Sequence, residues 1–102
     1  MDPDARLHAV ASLIADRNRA QLLLILLGGQ PQSGSALAEA AGISRSLASA
    51  HLTKLVAGGL VRAEASGRQR LYALAGQPVA DALETLLQLA QPTPVTSLTW
   101  MV

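Results

Sequence analysis

Six consecutive aliphatic residues at 22–27 constrain this chain more than any other feature of its sequence. They are preceded by Asp16, a residue type that favours the N-cap of a helix, and followed by Gly28 and Gly29, which commonly end one. A helix that is apolar on every face must be surrounded by other elements of the fold. We therefore predict a helix over 17–27 that is buried on all sides at the centre of a single domain.

The composition favours a mainly helical domain and excludes several classes of protein. Half of the 102 residues are hydrophobic and 15% are charged, and the chain contains 19 Ala and 19 Leu, which are strong helix formers. Because disordered chains are poor in apolar residues and rich in charge, we expect an ordered fold. The sequence contains no cysteine, so disulfides, iron–sulfur clusters and thiolate-bound zinc are excluded.

The sequence has no feature that predicts export or membrane insertion. A membrane-spanning helix needs about 20 apolar residues, far more than the longest aliphatic run here. The N-terminal residues lack the basic start and apolar core of a signal peptide. We therefore expect a cytoplasmic protein without a membrane partner.

Four other segments show helical spacing of their apolar residues and are bounded by helix-ending signals. Gly42 follows one of them and Ser44 precedes the next, so a tight turn joins two helices at 42–44. Pro78 begins the last segment and Pro92 stops it. The four predicted helices are 3–15, 35–41, 45–57 and 78–91.

Residues 60–75 change to the two-residue period that is typical of a β-hairpin. A two-residue loop at Ser66-Gly67 would place apolar residues opposite charged ones, whereas a three-residue loop at 66–68 keeps apolar opposite apolar. We therefore predict the three-residue loop. This register pairs Ala63 with Leu71, Glu64 with Arg70 and Arg62 with Tyr72, and leaves Arg68 at the tip.

Positive charge is concentrated in the middle of the chain. Residues 45–70 contain five basic side chains and one acidic side chain, while the rest of the chain contains three basic and six acidic ones. Nucleic-acid binding needs local positive charge, because phosphates are neutralised where they are touched.

The predicted order of elements, α-α-α-α-β-β-α, is that of a winged helix-turn-helix. We predict a mainly α fold with a small β-hairpin, in which residues 1–91 form the domain and 92–102 a C-terminal tail. The outer face of helix 45–57 is small and polar, which suits close approach to the major groove of double-stranded DNA. Arg68 and Arg70 on the hairpin are expected to meet the DNA backbone or minor groove. The candidate DNA-contacting residues are Ser44, Arg45, Ser46, Ser49, Ala50, His51, Lys54, Arg62, Arg68 and Arg70.

Two alternatives remain open at this point. His51 either contacts a phosphate or packs at the edge of the helix pair. A winged helix can also serve as a protein-interaction module that does not bind DNA. Catalysis is not expected, because the two His and the few acidic residues lie on different predicted elements and no glycine-rich phosphate loop is present. We accordingly expect no enzyme activity, no bound cofactor and no metal site.

The ordered set of these residues resembles the ArsR family of bacterial transcriptional regulators over roughly residues 5–90. The matching residues are Ile14-Ala15-Asp16, Arg19, 22–27, 37–46 (LAEAAGISRS), Ser49, His51, Leu52, Leu55, Gly59-Leu60-Val61 and Gly67-Arg68. The resemblance implies a homodimeric repressor that binds a DNA operator, with the first and last helices forming the dimer interface. The apolar stripes of the terminal helices agree with this. The expected interface residues are Leu7, Val10, Ile14, Val79, Leu83, Leu86 and Leu87.

The chain departs from the family at positions that concern ligands and sequence preference. Family members that sense metals often carry Cys where this chain has residues 35–39, and others use Asp and His pairs on the last helix. Here Asp81 is present, but Leu83 stands where a His is needed. Ala50 stands where the family commonly has Arg. We therefore expect no metal sensing of these kinds, and an effector that is either a small organic molecule or absent.

Overall fold

Five helices and a three-stranded antiparallel sheet make up the fold in a computed structural model, which describes residues 2–91. Each helix begins and ends within one residue of its predicted bounds. The tail predicted at 92–102, with Trp100, lies outside the described residues. The elements are α1 (Pro3–Ala15), α2 (Arg17–Leu26), β1 (Gln32–Ser33), α3 (Gly34–Ala41), α4 (Arg45–Ala57), β2 (Val61–Ser66), β3 (Gln69–Leu74) and α5 (Gln77–Ala90).

Local hydrogen bonds fix where the helices begin. The Asp2 carboxylate accepts from the backbone N–H of Ala5 at 2.8 Å, and the Ser44 hydroxyl accepts from that of Leu47 at 3.1 Å. These bonds satisfy N–H groups that have no partner within the helix. Gly42 ends α3 with φ of 69°, a left-handed conformation that glycine adopts without steric cost. The tight turn between α3 and α4 is thus encoded locally.

The core forms around α2, as predicted, but α2 is not buried on all sides. Leu22, Leu23 and Leu26 are buried among side chains of α3, α4, the sheet and α5. Leu24 is 42% exposed, because the elements packed against α2 cover only part of its circumference. The prediction of a fully enclosed helix was therefore wrong at this position, and an apolar side chain remains uncovered in the single chain.

The hairpin differs from the predicted register by one residue. Ala63 pairs with Tyr72, Glu64 with Leu71 and Ala65 with Arg70, so the loop consists of two residues, Gly67 and Arg68. Gly67 has φ of 60°, and no non-glycine residue within 2–91 has a positive φ. A positive φ at the first loop residue alone is typical of a type II′ turn, whose twist matches that of the strands. Turn geometry therefore outweighed the pairing of apolar residues.

The sequence predicted that Leu71 and Ala73 face inward and Tyr72 outward. Ala73 is buried as predicted, whereas Tyr72 is only partly exposed and lies against the core. Tyr72 and Leu74 pack against the core cluster. Tyr72 does not lie opposite Arg62, which pairs with Ala73 instead.

A short strand, β1, forms where the sequence predicted a loop at 30–34. Gln32 pairs with Tyr72 and Ser33 with Leu71, so β1 joins the sheet at the free edge of β3. Two residues are too few to show a periodic pattern, which is why the sequence did not reveal this strand. Its effect is to hold the start of α3 against the wing, the hairpin of β2 and β3.

Candidate nucleic-acid interface

A surface depression of about 290 Å³ lies where α3, α4 and the wing meet. Residues of β1, the start of α3, α4 and the wing each line it. We call this surface the arginine groove, because three of its members are arginines from two different elements. Its lining residues are Ser33, Gly34, Ser35, Arg45, Ser49, Leu52, Arg68, Gln69, Arg70 and Tyr72.

The arginine groove is positively charged. Arg45, Arg68 and Arg70 are all exposed, and no acidic residue is among those that line the groove. None of the three forms an ion pair with a carboxylate within residues 2–91. Uncompensated guanidinium groups around one concave surface make a site for an anion, and a chain of phosphates meets several such groups at once.

The outer face of α4 extends this surface. Ser46, Ser49, Ala50 and Thr53 are exposed, as the sequence predicted. The Thr53 hydroxyl donates to the carbonyl of Ser49 at 2.9 Å, so this hydroxyl is directed back toward its own helix. Ser44 is exposed at the cap and Lys54 is exposed further along α4, although neither lines the arginine groove.

Two wing residues do not occupy the places that the sequence predicted. Arg62 lines a second depression, of about 320 Å³, together with Gln77 and Glu84 of α5. It is therefore not brought together with Arg45 and the wing tip. Glu64 pairs with Leu71 and not with Arg70. Neighbouring residues on a strand point to opposite faces, so the Glu64 carboxylate does not share a face with Arg70.

His51 was a candidate DNA contact, and the structure corrects this expectation. The side chain is buried, and His51 is only 8% exposed. Its Nδ1 lies 3.3 Å from Nη1 of Arg19, and its Nε2 lies 3.8 Å from Oδ1 of Asp16. His51 therefore connects α4 to the start of α2, which is the packing alternative that the sequence left open.

Sequence reasoning missed several members of the arginine groove. Ser33 lies on β1 and caps α3, since its hydroxyl accepts from the backbone N–H of Ala36 at 3.2 Å. Ser35 lies next to it, with 3.2 Å between the two hydroxyl oxygens. Gln69 and Tyr72 join the groove through the observed strand register. A serine immediately before a helical segment was the one sequence signal available for Ser33.

The terminal helices carry the residues predicted for a dimer interface, and these residues fall into two groups. Leu7, Val10, Leu86 and Leu87 are exposed, with Leu7 at 70%. Ile14 and Val79 are partly buried and pack against the core of their own chain. Leu83 is 5% exposed and belongs to that core, which corrects its assignment to the interface. The sequence alone could not show which apolar residues of α5 face the core, because Leu83, Leu86 and Leu87 are all leucines at helical spacing.

Comparison with known proteins identifies the family to which these elements belong. A family model described as the MarR family matches residues 16–70, from the start of α2 to Arg70 on the wing. The chain belongs to the MarR family. The match spans the helix-turn-helix and the wing as far as Arg70, so it includes every residue of the arginine groove except Tyr72. It confirms the predicted fold and the prediction of a winged-helix regulator.

Individual relatives of this MarR-family chain are named as transcriptional regulators. YdfF of Bacillus subtilis, an HTH-type transcriptional regulator, is 38% identical over 89 residues, which are 87% of this chain and 39% of YdfF. CmtR of Mycobacterium tuberculosis, also an HTH-type transcriptional regulator, is 40% identical over 85 residues, which are 83% of this chain and 71% of CmtR. The chain thus spans about two-fifths of YdfF. Both names describe transcriptional regulators, in agreement with the prediction that this chain is not an enzyme.

Solved structures share the fold. The homodimeric winged helix-turn-helix DNA-binding domain of Mb0332 from Mycobacterium bovis, described as a possible ArsR-family transcriptional regulator, superposes with a TM-score of 0.79. It is 32% identical, and the match covers 84% of this chain and 79% of that domain. The structure of CmtR from Mycobacterium tuberculosis, described as a cadmium metal-sensor, gives a TM-score of 0.67 at 37% identity, covering 86% of this chain and 97% of CmtR.

Membrane-spanning and metal-binding features are both missing from the described part of the chain. Across residues 2–91, no helix has the length and apolarity needed to cross a membrane. Over the same span, no group of three or more His, Asp or Glu side chains is arranged to hold a metal ion.

Proposed function

We propose that the chain is a homodimeric, sequence-specific DNA-binding transcriptional regulator of the ArsR type that acts as a repressor in the cytoplasm by occupying a promoter operator. In this proposal α4 enters the major groove, and the wing follows the neighbouring phosphates. The single observation that carries it is the arginine groove, in which Arg45 of α4 and Arg68 and Arg70 of the wing surround one concave surface without an acidic neighbour.

The support for specific reading is the chemistry of α4. Arg45 is the one long basic side chain at the start of this helix, and an arginine can make two hydrogen bonds to a guanine edge. Ser46, Ser49 and Ala50 are small, so the helix backbone can approach the floor of the groove. The wing arginines lie at and beside the tip of the hairpin and are suited to phosphates, which position the protein without reading sequence.

The support for a homodimer is the exposed apolar surface of the terminal helices. No residue of α1 is buried in the single chain, and Leu7 and Val10 are among its exposed side chains. Leu86 and Leu87 of α5 are exposed as well. The domain of Mb0332 is described as homodimeric and as a possible ArsR-family regulator. A two-fold dimer would present two α4 helices to half-sites one helical turn apart, about 34–36 Å.

The proposal does not extend to the cadmium sensing for which CmtR is named. Thiolates are the soft ligands that such ions prefer, and this sequence contains no cysteine.

The test measures binding to an operator obtained by selection from genomic fragments and to a scrambled duplex of equal length, over a series of salt concentrations. Arg45→Ala should weaken operator binding by about 1–3 kcal/mol and leave scrambled DNA little affected. Arg68→Ala should weaken both duplexes alike and reduce the salt slope by about one unit for each phosphate that it no longer neutralises. Fluorescence anisotropy of labelled duplex measures both quantities.

Arg62→Ala is the matched control, because it removes the same charge from the wing outside the arginine groove. It should leave operator affinity close to that of the unmodified chain. Equal losses on both duplexes for Arg45→Ala and Arg68→Ala would show that α4 is not the reading helix. The protein-interaction alternative would be favoured by two results together: the chain selects no operator, and a partner protein binds at the arginine groove.

A further inference from the structure

His51 is the buried polar side chain of α4, on the opposite side of the helix from the exposed serines. Its imidazole has a charged neighbour at each nitrogen, with Arg19 Nη1 3.3 Å from Nδ1 and Asp16 Oδ1 3.8 Å from Nε2. Both neighbours come from the junction of α1 and α2. Within residues 2–91, this triplet joins the helix that carries the proposed reading surface to that junction through polar groups.

The protonation state of His51 follows from the chemistry of Arg19. A guanidinium group remains protonated in proteins and can only donate hydrogen bonds. Nδ1 of His51 must therefore act as the acceptor, which requires a neutral imidazole whose hydrogen is on Nε2. Nε2, which then carries the hydrogen, lies 3.8 Å from Oδ1 of Asp16, close enough for electrostatic attraction but beyond hydrogen-bond distance. A second proton on Nδ1 would place two donors and two positive charges against each other.

Arg19 also holds the end of α1. Its Nε donates to the carbonyl of Leu13 at 2.8 Å, and its Nη2 donates to the carbonyl of Ser12 at 3.2 Å. These carbonyls lie in the last turn of α1, where they have no partner within the helix. One guanidinium group thus connects α1, which bears the exposed Leu7 and Val10, to α4.

We propose that neutral His51 is a positioning residue for DNA binding, and that its protonation releases Arg19 and loosens α4 from α1. The proposal rests on the proposed function, since it concerns the helix that reads the operator. Operator affinity then falls on acidification, because the two α4 helices of a dimer are no longer held at one fixed distance and angle.

The charged groups around His51 act in opposite directions. Asp16 attracts a proton to the imidazole and Arg19 opposes it. The other elements packed against α4 contribute buried apolar side chains, with Leu37 of α3 and Val61 of β2 among them. The charged residues of these elements and of α2, other than Arg19, are exposed: Glu39, Arg62, Glu64 and Arg17. Lys54 lies one turn further along α4 and is exposed, so solvent screens its charge.

The experiment compares operator binding by the full chain between about pH 8 and pH 5, the range in which imidazole side chains take up protons. The unmodified chain should lose affinity by about tenfold or more over this range. His51→Asn should bind with an affinity nearly independent of pH, because its amide oxygen can accept from Arg19 but cannot take up a proton. His8→Asn is the matched control, since it removes the other histidine, which is exposed on α1, and should keep the full pH dependence.

Nitrogen NMR of the imidazole rings provides a second test that does not depend on DNA or on a variant that folds. At neutral pH, His51 should show the tautomer with hydrogen on Nε2, and the shifts of Leu13 should change as His51 titrates. Ser12 is not used as a reporter, because its hydroxyl lies 3.5 Å from Nε2 of His8. The opposite tautomer, or pH dependence that His8→Asn abolishes and His51→Asn preserves, would overturn the proposal. Absence of operator binding at every pH would count against the proposed function, while the NMR titration would still decide the role of His51.

Discussion

At the scale of single residues, Asp16 shows how one side chain serves several contacts. Its Oδ1 accepts from the backbone N–H groups of Asn18 at 2.9 Å and of Arg19 at 3.1 Å, and it faces His51. The hydrogen bond from the Arg19 backbone is the main reason why the pKa of Asp16 lies below its ordinary value of 3.8. Charge, helix capping and the link to α4 thus depend on the same carboxylate.

The lowered pKa of Asp16 predicts a stability that depends on pH. Ionised Asp16 stabilises the folded chain fully above its ordinary pKa, and this contribution is lost as the pH falls through the lowered folded-state pKa. Asp16→Asn keeps a good N-cap but cannot ionise, so it should be less stable than the unmodified chain at pH 7. The two stabilities should converge in acid, once the pH has fallen below the lowered pKa of Asp16, as measured by urea unfolding. Asp16→Ala, which removes the cap as well, should be less stable at both pH values. A difference in the free energy of unfolding between the unmodified chain and Asp16→Asn that does not change with pH would contradict this prediction.

The wing register predicts how Arg70 behaves. The predicted pairing with Glu64 would have neutralised part of its charge and made Arg68 the more important residue. Since Arg70 instead pairs with Ala65, we expect Arg70→Ala to weaken scrambled and operator duplexes about as much as Arg68→Ala. Glu64→Gln should change the salt slope of DNA binding little. An increase in affinity with Glu64→Gln that disappears in the Arg70→Ala background would instead indicate coupling of these two residues.

At the scale of elements, the sequence predicted what is encoded locally and missed what depends on distant contacts. Helix bounds follow from caps such as Ser44 and stops such as Gly42, whose chemistry acts within one turn of the chain. The strand register, the short β1 and the burial of His51 depend on partners far along the chain. The arginines of the candidate site were therefore predicted from charge, while Ser33 and Gln69, which reach the groove through β1 and the register of β3, were not.

Close contact with α1 restricts which residue can follow α4. Gly58 follows α4, and a Cβ at this position would collide with Cδ1 of Leu13 from α1. Gly58→Ala should therefore destabilise the chain by about 1 kcal/mol, the lower end of the usual cost of overpacking, because Cδ1 is the far end of the flexible Leu13 side chain. Gly28→Ala is the control, because a Cβ there would meet only the Ile25 carbonyl oxygen, at 3.4 Å. Thermal unfolding measures both variants, and equal stability of the two would show that the Leu13 side chain can move away from Gly58 without cost.

At the scale of the whole molecule, the single chain leaves apolar surface on both terminal helices while its own core is closed by Leu83. Exposed apolar patches of this kind mark interaction surfaces, and a two-fold interface covers the same patch on both copies. Leu83 therefore contributes to the folding of the single chain, whereas its exposed neighbours on α5 are available for assembly of the dimer.

Two substitutions on α5 separate these roles. Leu86 is 44% exposed, so Leu86→Glu should leave the fold intact, as judged by circular dichroism, and should shift the chain to a monomer in sedimentation velocity at micromolar concentration. Leu83→Glu places a charge in the core and should abolish cooperative unfolding, because a buried unpaired carboxylate is costly. A folded Leu86→Glu monomer can engage only one half-site, so it should lose most of its affinity for a two-half-site operator and keep its weaker binding to scrambled DNA. If Leu86→Glu still sediments as a dimer with full operator affinity, the partner surface does not include this face of α5, and the exposed side of α1 with Leu24 becomes the surface to test.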